Sequence, residues 1–498
     1  MTHAPLRSVS IGFLSAVALA GCAVGPNYVR PSAPISPTFK EAAGWSPAAP
    51  ADTLDRGDWW SLFGDPTLSA LEAKVQVSNQ NIIAAEAAYR EARAVVSEQR
   101  AALFPTVDLT GGGTRSGGGS GSGGSVVGGT VTGSGGKSTT RYTASIGATW
   151  EPDVWGRIRR TIEGAKALAQ ASEADLAAAR LSAQGELAID YFGLRETDAQ
   201  IAIDQATVAA YQRSLQITQN QYNAGTVSKT DMLQAQTQLY NAQAALTGLA
   251  QQRAVFEHAI AVLTGEAPGN FTLAPAPWIE TVPDVPPGVP STLLQRRPDI
   301  AGAERRVQNA NAQIGVQIAA YFPTLTLTGS YGFAASELGS LFSSANSLWS
   351  YGASIAETLF DAGARRARVN EAKATHDLTV AQYRQVVLLA LENVEDELAT
   401  TRVLAQQIGL LRQASASADQ AEQIFLNQYK AGTVAYTTVV VAQTAAYQAR
   451  LAVVQAATQR QTTAVALIQS LGGGWKTPWA PVALSSPAEE RDKAAVAK

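Results

Sequence analysis

Few residues of this chain sit at spacings that could do chemistry. Gly119-Ser120-Gly121-Ser122-Gly123-Gly124 fits the G-x-G-x-x-G pattern that cradles a pyrophosphate, but that cradle needs a strand running in and a helix running out. These glycines lie inside a Gly/Ser tract, and low complexity accounts for them. Gly136-Lys137-Ser138 has the ending of a phosphate-binding loop, yet the first glycine of such a loop falls at Val131. His3 lies near the N-terminus, and His258 and His376 stand alone on helical stretches with no second ligand at metal spacing. Glu395 and Glu397 would point to opposite sides of a helix, and Glu392 with Asp396 reads as a solvated face. No nucleophile, base and orienting group assemble. The sequence therefore predicts no catalytic residue, no metal and no enzymatic activity.

One reactive residue remains. Cys22 is the only cysteine, which rules out a disulfide within one chain and a thiolate metal site. It closes Leu19-Ala20-Gly21-Cys22, after His3, Arg7 and an apolar stretch over 9–20. That stretch is too short to span a bilayer as a helix, so residues 1–21 read as a removable secretory signal. The ending resembles a bacterial lipoprotein signal. The resemblance implies a diacylglyceryl group on the Cys22 sulfur, with Cys22 as the first residue of the mature chain. Ala23 in place of aspartate then favours sorting to the outer membrane. This covalent lipid is the one prosthetic group expected; no other cofactor is.

The composition bounds the partners. A net charge of −3 gives no electrostatic case for nucleic acid. Charged residues make up 16% of the chain, well under the quarter or so usual for soluble domains. Beyond the signal no run of 18 apolar residues remains, so any membrane-spanning part must be built of strands.

The elements that position the rest occur twice. Ala102-Leu103-Phe104-Pro105-Thr106-Val107-Asp108-Leu109-Thr110-Gly111 parallels Ala320-Tyr321-Phe322-Pro323-Thr324-Leu325-Thr326-Leu327-Thr328-Gly329. Ala144-Ser145-Ile146 and Ala353-Ser354-Ile355 follow, then Gln-Tyr-x-Ala-Gly-Thr-Val at 221–227 and again at 428–434. Landmarks in one order make an internal duplication, each copy running helix, strand, strand, helix, helix. Val107 and Leu109 alternate with Thr106, Asp108 and Thr110, and Leu325 and Leu327 with Thr324, Thr326 and Thr328. Tyr142, Ile146 and Trp150 share one face, as do Trp349, Tyr351 and Ile355. Strands of about ten residues with one apolar face suit a transmembrane barrel, or the core face of a soluble sandwich.

After each strand pair, proline is absent over 156–223 and 363–430. At 1.5 Å per residue such a helix would reach about 100 Å. Leu187, Tyr191, Leu194, Tyr211, Leu215 and Tyr222 sit at coiled-coil spacings, as do Tyr383, Val387, Ala390, Val394, Leu404, Ile408 and Tyr429. Second helices are expected over 228–263 and 436–471. Gly225 and Gly432 are placed to end the long helices in the left-handed conformation, so each repeated heptapeptide is a hairpin tip. Between the copies, 267–290 holds seven prolines. The expected organisation is a signal (1–21), a lipid-anchored irregular segment (22–65), repeat one (66–266, with a Gly-rich loop at 111–137), a Pro-rich linker (267–297), repeat two (298–471) and an irregular tail (472–498).

At this point the chain resembles the TolC-like outer membrane factors, in particular the lipidated OprM/NodT-type efflux channels, over nearly all of its mature length. The landmarks are Cys22-Ala23-Val24-Gly25-Pro26-Asn27-Tyr28, Trp59-Trp60-Ser61-Leu62-Phe63-Gly64-Asp65-Pro66, Leu293-Leu294-Gln295-Arg296-Arg297-Pro298-Asp299-Ile300, both Phe-Pro-Thr strand starts and both tips. Four strands cannot close a barrel, and two or three chains could each supply enough. The resemblance chooses three. It implies an α+β membrane protein: a homotrimer whose 12-stranded transmembrane β-barrel, four strands per chain, continues into a long periplasmic α-helical coiled-coil barrel. It implies an exit duct in the outer membrane, among its lipid, with a periplasmic membrane-fusion adaptor and an inner-membrane RND-type pump as partners, and export of small molecules. The exit duct of a type I protein secretion system shares this architecture. A lipid-anchored periplasmic coiled-coil scaffold without a pore is the other alternative.

The resemblance places the adaptor contact at Ala224, Gly225, Thr226 and Val227 and at Ala431, Gly432, Thr433 and Val434. Related channels narrow their periplasmic end with carboxylates six and nine residues after the second tip glycine. Here those positions are Thr438 and Val441, while the first copy keeps Asp231 with Gln234 beside it. The aperture would then be an apolar and hydroxyl ring, unless Thr438 and Val441 simply pack between helices.

Overall fold

The computed structural model describes residues 23–42, 58–117, 138–283, 296–473 and 475. Cys22 and the signal, most of the Gly-rich loop, part of the linker and most of the tail lie outside the described residues. The elements run α1 (Pro66–Ser78), α2 (Gln80–Ala101), β1 (Thr106–Ser116), β2 (Thr139–Trp150), α3 (Arg157–Asn223), α4 (Lys229–Leu263), α5 (Pro298–Ala319), β3 (Thr324–Ala335), β4 (Ser347–Ala356), α6 (Ala364–Lys430) and α7 (Tyr436–Ser470). The two long helices have 67 residues each and their partners 35 each. No described helix is long and apolar enough to cross a membrane.

One helix was expected before the first strand pair, and there are two. Asn79 leaves helical geometry at ψ 122°, and its side chain accepts from the N–H groups of Asn81 and Ile82, which start α2. Its amide also donates to the Leu263 carbonyl at the end of α4. That tertiary bond fixes the break, and an asparagine within a helical pattern gives only a weak sign of it.

The chain divides into two compact units. In the first, the strands form a four-stranded antiparallel sheet in the order β1-β2-β3-β4. Its register sets Leu109 beside Ile146, Ile146 beside Tyr331 and Tyr331 beside Trp349. Because side chains alternate across a pleat, the same face carries Val107, Trp150, Leu325, Leu327, Tyr351 and Ile355. The opposite face carries Thr106, Asp108, Thr110, Ser145, Thr326, Thr328, Ser330, Ser350 and Ser354. The hydroxyls pair across strands, Thr110 with Ser145 and Ser330 with Ser350, at 2.8 Å each. Apolar residues of the first face are exposed in the single chain, Leu109 by 83% and Tyr351 by 82%. The outer edges of β1 and β4 pair with no other strand among the described residues.

The N-terminal segment of this unit is seated at the start of α3. The Val24 N–H donates to the Trp155 carbonyl, and the Arg160 guanidinium donates to the Val24 and Gly25 carbonyls and to Asn27 Oδ1. Gly25 packs so closely on Gly315 that a Cβ would lie 2.5 Å from its Cα. Gly25 takes φ 95°, which favours glycine independently.

The second unit holds the main core, where Trp59, Trp60, Phe63, Leu68, Val75, Leu187, Tyr191, Ile260, Val394 and Leu398 are buried. The Trp-Trp-x-x-Phe-Gly-Asp-Pro landmark builds its centre. Asp65 caps α1 through Thr67 and Leu68, and its other oxygen accepts from the Tyr191 hydroxyl at 2.6 Å. The Arg-Arg-Pro-Asp landmark acts as a clasp: Arg297 holds Asp299 and donates to the Ser470 carbonyl at the end of α7.

The coiled-coil register holds on α6, where Tyr383, Val387, Ala390, Val394, Leu404, Ile408 and Tyr429 are buried. On α3, Leu187, Tyr191, Leu194 and Tyr211 are buried, but Tyr222 is 38% exposed. Its counterpart Tyr429 packs on Tyr436, with ring centroids 5.2 Å apart, and the first copy has Lys229 in the place of Tyr436. Glu395 is no bystander acid: its two oxygens accept from the Lys40 and Glu41 backbone N–H groups.

Candidate functional site at two hairpin tips

The two copies of Gln-Tyr-x-Ala-Gly-Thr-Val fold alike, bond for bond. In the first, Gly225 N–H reaches the Tyr222 carbonyl at 2.9 Å and Thr226 N–H the Gln221 carbonyl at 2.9 Å. In the second, Gly432 reaches Tyr429 at 2.9 Å and Thr433 reaches Gln428 at 3.0 Å. These paired bonds satisfy the last carbonyls of the long helix and require a left-handed residue. Gly225 has φ 73° and Gly432 φ 74°, with nothing within 4 Å of a Cβ at either. Each threonine adds a bond from its own Oγ1 to the same carbonyl, at 2.9 and 3.0 Å. Ala224, Gly225, Thr226, Ala431, Gly432 and Thr433 are exposed, and Val227 and Val434 are half-buried.

The helices leaving the tips differ. Ser228 caps α4, its Oγ accepting from the Asp231 N–H at 3.3 Å. Ala435 starts α7 with no side-chain cap. Beneath the tips Ala235, Tyr429, Tyr436 and Val439 form a small core, in which Tyr429 donates to Thr218 Oγ1 at 3.3 Å. Burial pushes the Tyr429 and Tyr436 hydroxyls up; at Tyr429 the Asp231 charge adds to this. The Tyr436 hydroxyl finds no partner. Sequence reasoning missed this aromatic pair as a feature of the site, although Tyr436 directly follows the second tip.

The three aperture candidates are not all brought together. Val441 is 70% exposed and lines a groove of about 440 Å³ with Thr230, Leu233, Gln234, Thr237, Gln238, Thr437 and Val440. Asp231 and Thr438 are half-buried and lie outside that lining. No lining residue of the groove is ionisable. No group of three or more His, Cys, Asp or Glu side chains converges as a metal site among the described residues. Small, hydroxyl-bearing and aliphatic surfaces of this kind offer close packing and hydrogen bonds.

The outer membrane efflux protein family model matches residues 72–266 and 289–473. The probable efflux pump outer membrane protein TtgC of Pseudomonas putida is 29% identical over 465 residues, covering 93% of this chain and 94% of that one. The outer membrane protein OprJ of Pseudomonas aeruginosa is 28% identical over 467 residues, covering 93% and 95%. Among solved structures, the outer-membrane channel OprN superposes with a TM-score of 0.83 at 32% identity, covering 92% of this chain and 100% of that one. The open state of the Neisseria gonorrhoeae MtrE outer membrane channel gives 0.78 at 27%, covering 92% and 99%. The chain belongs to the outer membrane efflux protein family.

Proposed function

We propose that this protein is the outer-membrane exit duct of a tripartite efflux system, a passive channel for small molecules supplied by an inner-membrane pump through a periplasmic adaptor. The observation that carries this reading is the two-faced sheet: a continuous apolar face, a hydroxyl face, and two open edges. Open strand edges are not tolerated in lipid, so β1 of one chain pairs with β4 of the next. Three chains give a 12-stranded barrel, with Thr and Ser toward the lumen and Leu, Ile, Tyr and Trp toward lipid. The relatives are named as efflux pump outer membrane proteins, which fits an efflux role over protein secretion.

In this reading the two copies, 66–266 and 298–471, each give one hairpin to a periplasmic helical barrel, and 267–297 joins them. Both exposed tips meet the adaptor, and Thr438 and Val441, with Asp231 from the first copy, edge the aperture. Cys22 carries the lipid. In support, Ala23 lies against Gly156, where a Cβ would approach its Cα to 2.6 Å, at the junction of β2 and α3. Catalysis has no part in this role.

The test is the native mass of membrane-extracted protein by light scattering corrected for detergent, followed by conductance in planar bilayers. A trimer that conducts supports the duct. A stable monomer, with four strands and two bare edges, refutes it.

A further inference from the structure

The hydroxyl face of the sheet carries two charges that nothing answers. Asp108 on β1 stands opposite Gly147, and Arg141 on β2 stands opposite Thr114. Both side chains are exposed, and neither forms a hydrogen bond or ion pair among the described residues. The alternation of the pleat puts both on the face of Thr110 and Ser145. Every other residue of the four strands on that face is Thr, Ser, Gly or Ala, apart from Leu348. The acids just beyond the strand ends are satisfied, Glu151 by Arg157, Asp153 by Arg159, and Glu357 and Asp361 by Arg365. Glu337 lies past the end of β3, outside the sheet. A neighbouring chain supplies no partner either: β4, the strand set beside β1 of the next chain in the duct reading, offers Ser350, Gly352, Ser354 and Ala356 on this face.

We propose that Asp108 and Arg141 form two collars of opposite charge on the lumen wall and that these collars set the charge selectivity of the passage. The anionic collar lies toward the end of the sheet that joins the helices, the cationic one toward the outer mouth. This rests on the duct reading, because threefold repetition of the chain turns each lone side chain into a ring. Rings of charged side chains are a common means by which a pore discriminates among ions. From Asp108 to Thr114 is six residues of β1, about 20 Å of strand and, at a tilt of about 40°, about 15 Å along the barrel axis. That is too far for an ion pair and beyond the roughly 8 Å over which a charge acts at physiological salt, so the collars act separately. A passing anion is repelled at the inner collar and a cation at the outer one, while neutral and zwitterionic solutes meet no net barrier. Small ions gather between the collars when the periplasmic side is positive and are swept from that stretch when it is negative, so the current should rectify.

The experiment compares full-length wild type, Asp108→Asn and Arg141→Gln in planar bilayers under a KCl gradient. Asp108→Asn should move the reversal potential toward anion preference and Arg141→Gln toward cation preference, and either should weaken the rectification. All three proteins should converge near 1 M salt, where the screening length is about 3 Å. A second readout needs no current. Thr110→Cys sits beside Asp108 on the same face, about 7 Å along the strand, and is labelled in nanodiscs with cationic and anionic methanethiosulfonate reagents. Its ratio of cationic to anionic labelling rates should fall when Asp108→Asn is added. A ratio that does not move overturns the collars, because Asp108 then lies off the lumen wall. Channels that conduct with one reversal potential in all three proteins also overturn the collars and keep the duct. Failure of the duct shows differently: protein that never conducts, whatever its labelling, sinks the duct and the selectivity role with it.

Discussion

Adjacent residues on one strand give the sharpest test of which face of the sheet meets lipid. Tyr351 is the fifth of the ten residues of β4, close to mid-strand. It lies opposite Gly329 and stacks on Trp349, with centroids 5.6 Å apart and planes 6° from parallel. Ser350 points the other way and hydrogen-bonds Ser330. Placing arginine at each position puts the same charge at the same depth on opposite faces. On the lipid face near the bilayer midplane that charge costs about 2–4 kcal/mol, or roughly 30- to 1000-fold in the folding equilibrium. On the lumen face the charge stays in water, and Ser350→Arg forfeits one exposed hydrogen bond worth about 0.5–1.5 kcal/mol. The assay is folding of urea-unfolded chains into phospholipid vesicles, followed by heat-modifiable gel mobility and tryptophan emission. Tyr351→Arg should fold far less completely than Ser350→Arg at matched urea. If Ser350→Arg is the more damaging, the faces are assigned backwards. If both are near neutral, the sheet does not lie in a bilayer.

Other outcomes follow from single features. Gly225→Ala and Gly432→Ala meet no neighbour, so each should cost only the left-handed strain, about 1–2 kcal/mol, read as faster exchange at its own tip. Gly25→Ala should be worse than either, because its Cβ would strike Gly315; thermal inactivation of the detergent-extracted protein ranks the three. Asp65→Ala removes the α1 cap and orphans the buried Tyr191 hydroxyl, for about 2–4 kcal/mol together. Asp65→Asn, which keeps a capping oxygen, should recover part of the lost midpoint temperature. Glu72 is fully buried with neither oxygen partnered, and burial pushes its carboxyl up to about 9. The unfolded chain releases this proton near pH 4.5 and the folded one near 9, so wild-type stability falls as pH rises between those values. Glu72→Gln should therefore gain on wild type steadily from pH 5 to 8, and melting curves that stay parallel would contradict this.

How much of this was visible beforehand depended on whether the signal was local. Gly225 and Gly432 announced the tips because only a residue without a Cβ takes φ near 73° cheaply, and that demand is written at a single position. Strand alternation grouped Val107 with Leu109, Ile146 with Trp150 and Tyr351 with Ile355 within their strands for the same reason: period two needs no tertiary knowledge. What stayed hidden was long-range. Glu395 read only as an acid on the opposite side of a helix from Glu397, and its contact with the Lys40 and Glu41 backbone lies far along the chain. Nothing beside Asn79 announces Leu263, nor beside Asp65 announces Tyr191. Tyr222 shared the heptad register of Tyr429 and lost its burial because Lys229 stands where the second copy has Tyr436. At the candidate aperture, Asp231, Thr438 and Val441 were chosen by offset from the glycines, and offset fixes distance along a helix but not which groove a side chain enters.

The bare edges of β1 and β4 have a bearing on how such a protein is made. A chain that exposes ladder donors and acceptors on both flanks has no resting place in the bilayer by itself, so insertion and association become one event with a steep dependence on chain supply. The same arrangement makes every ring only as sound as its weakest seam. If three chains share a ring, co-expressing equal amounts of intact chain and a chain spoiled along β4 leaves about one ring in eight wholly intact. A lesion in one gene copy would then act on the product of the other.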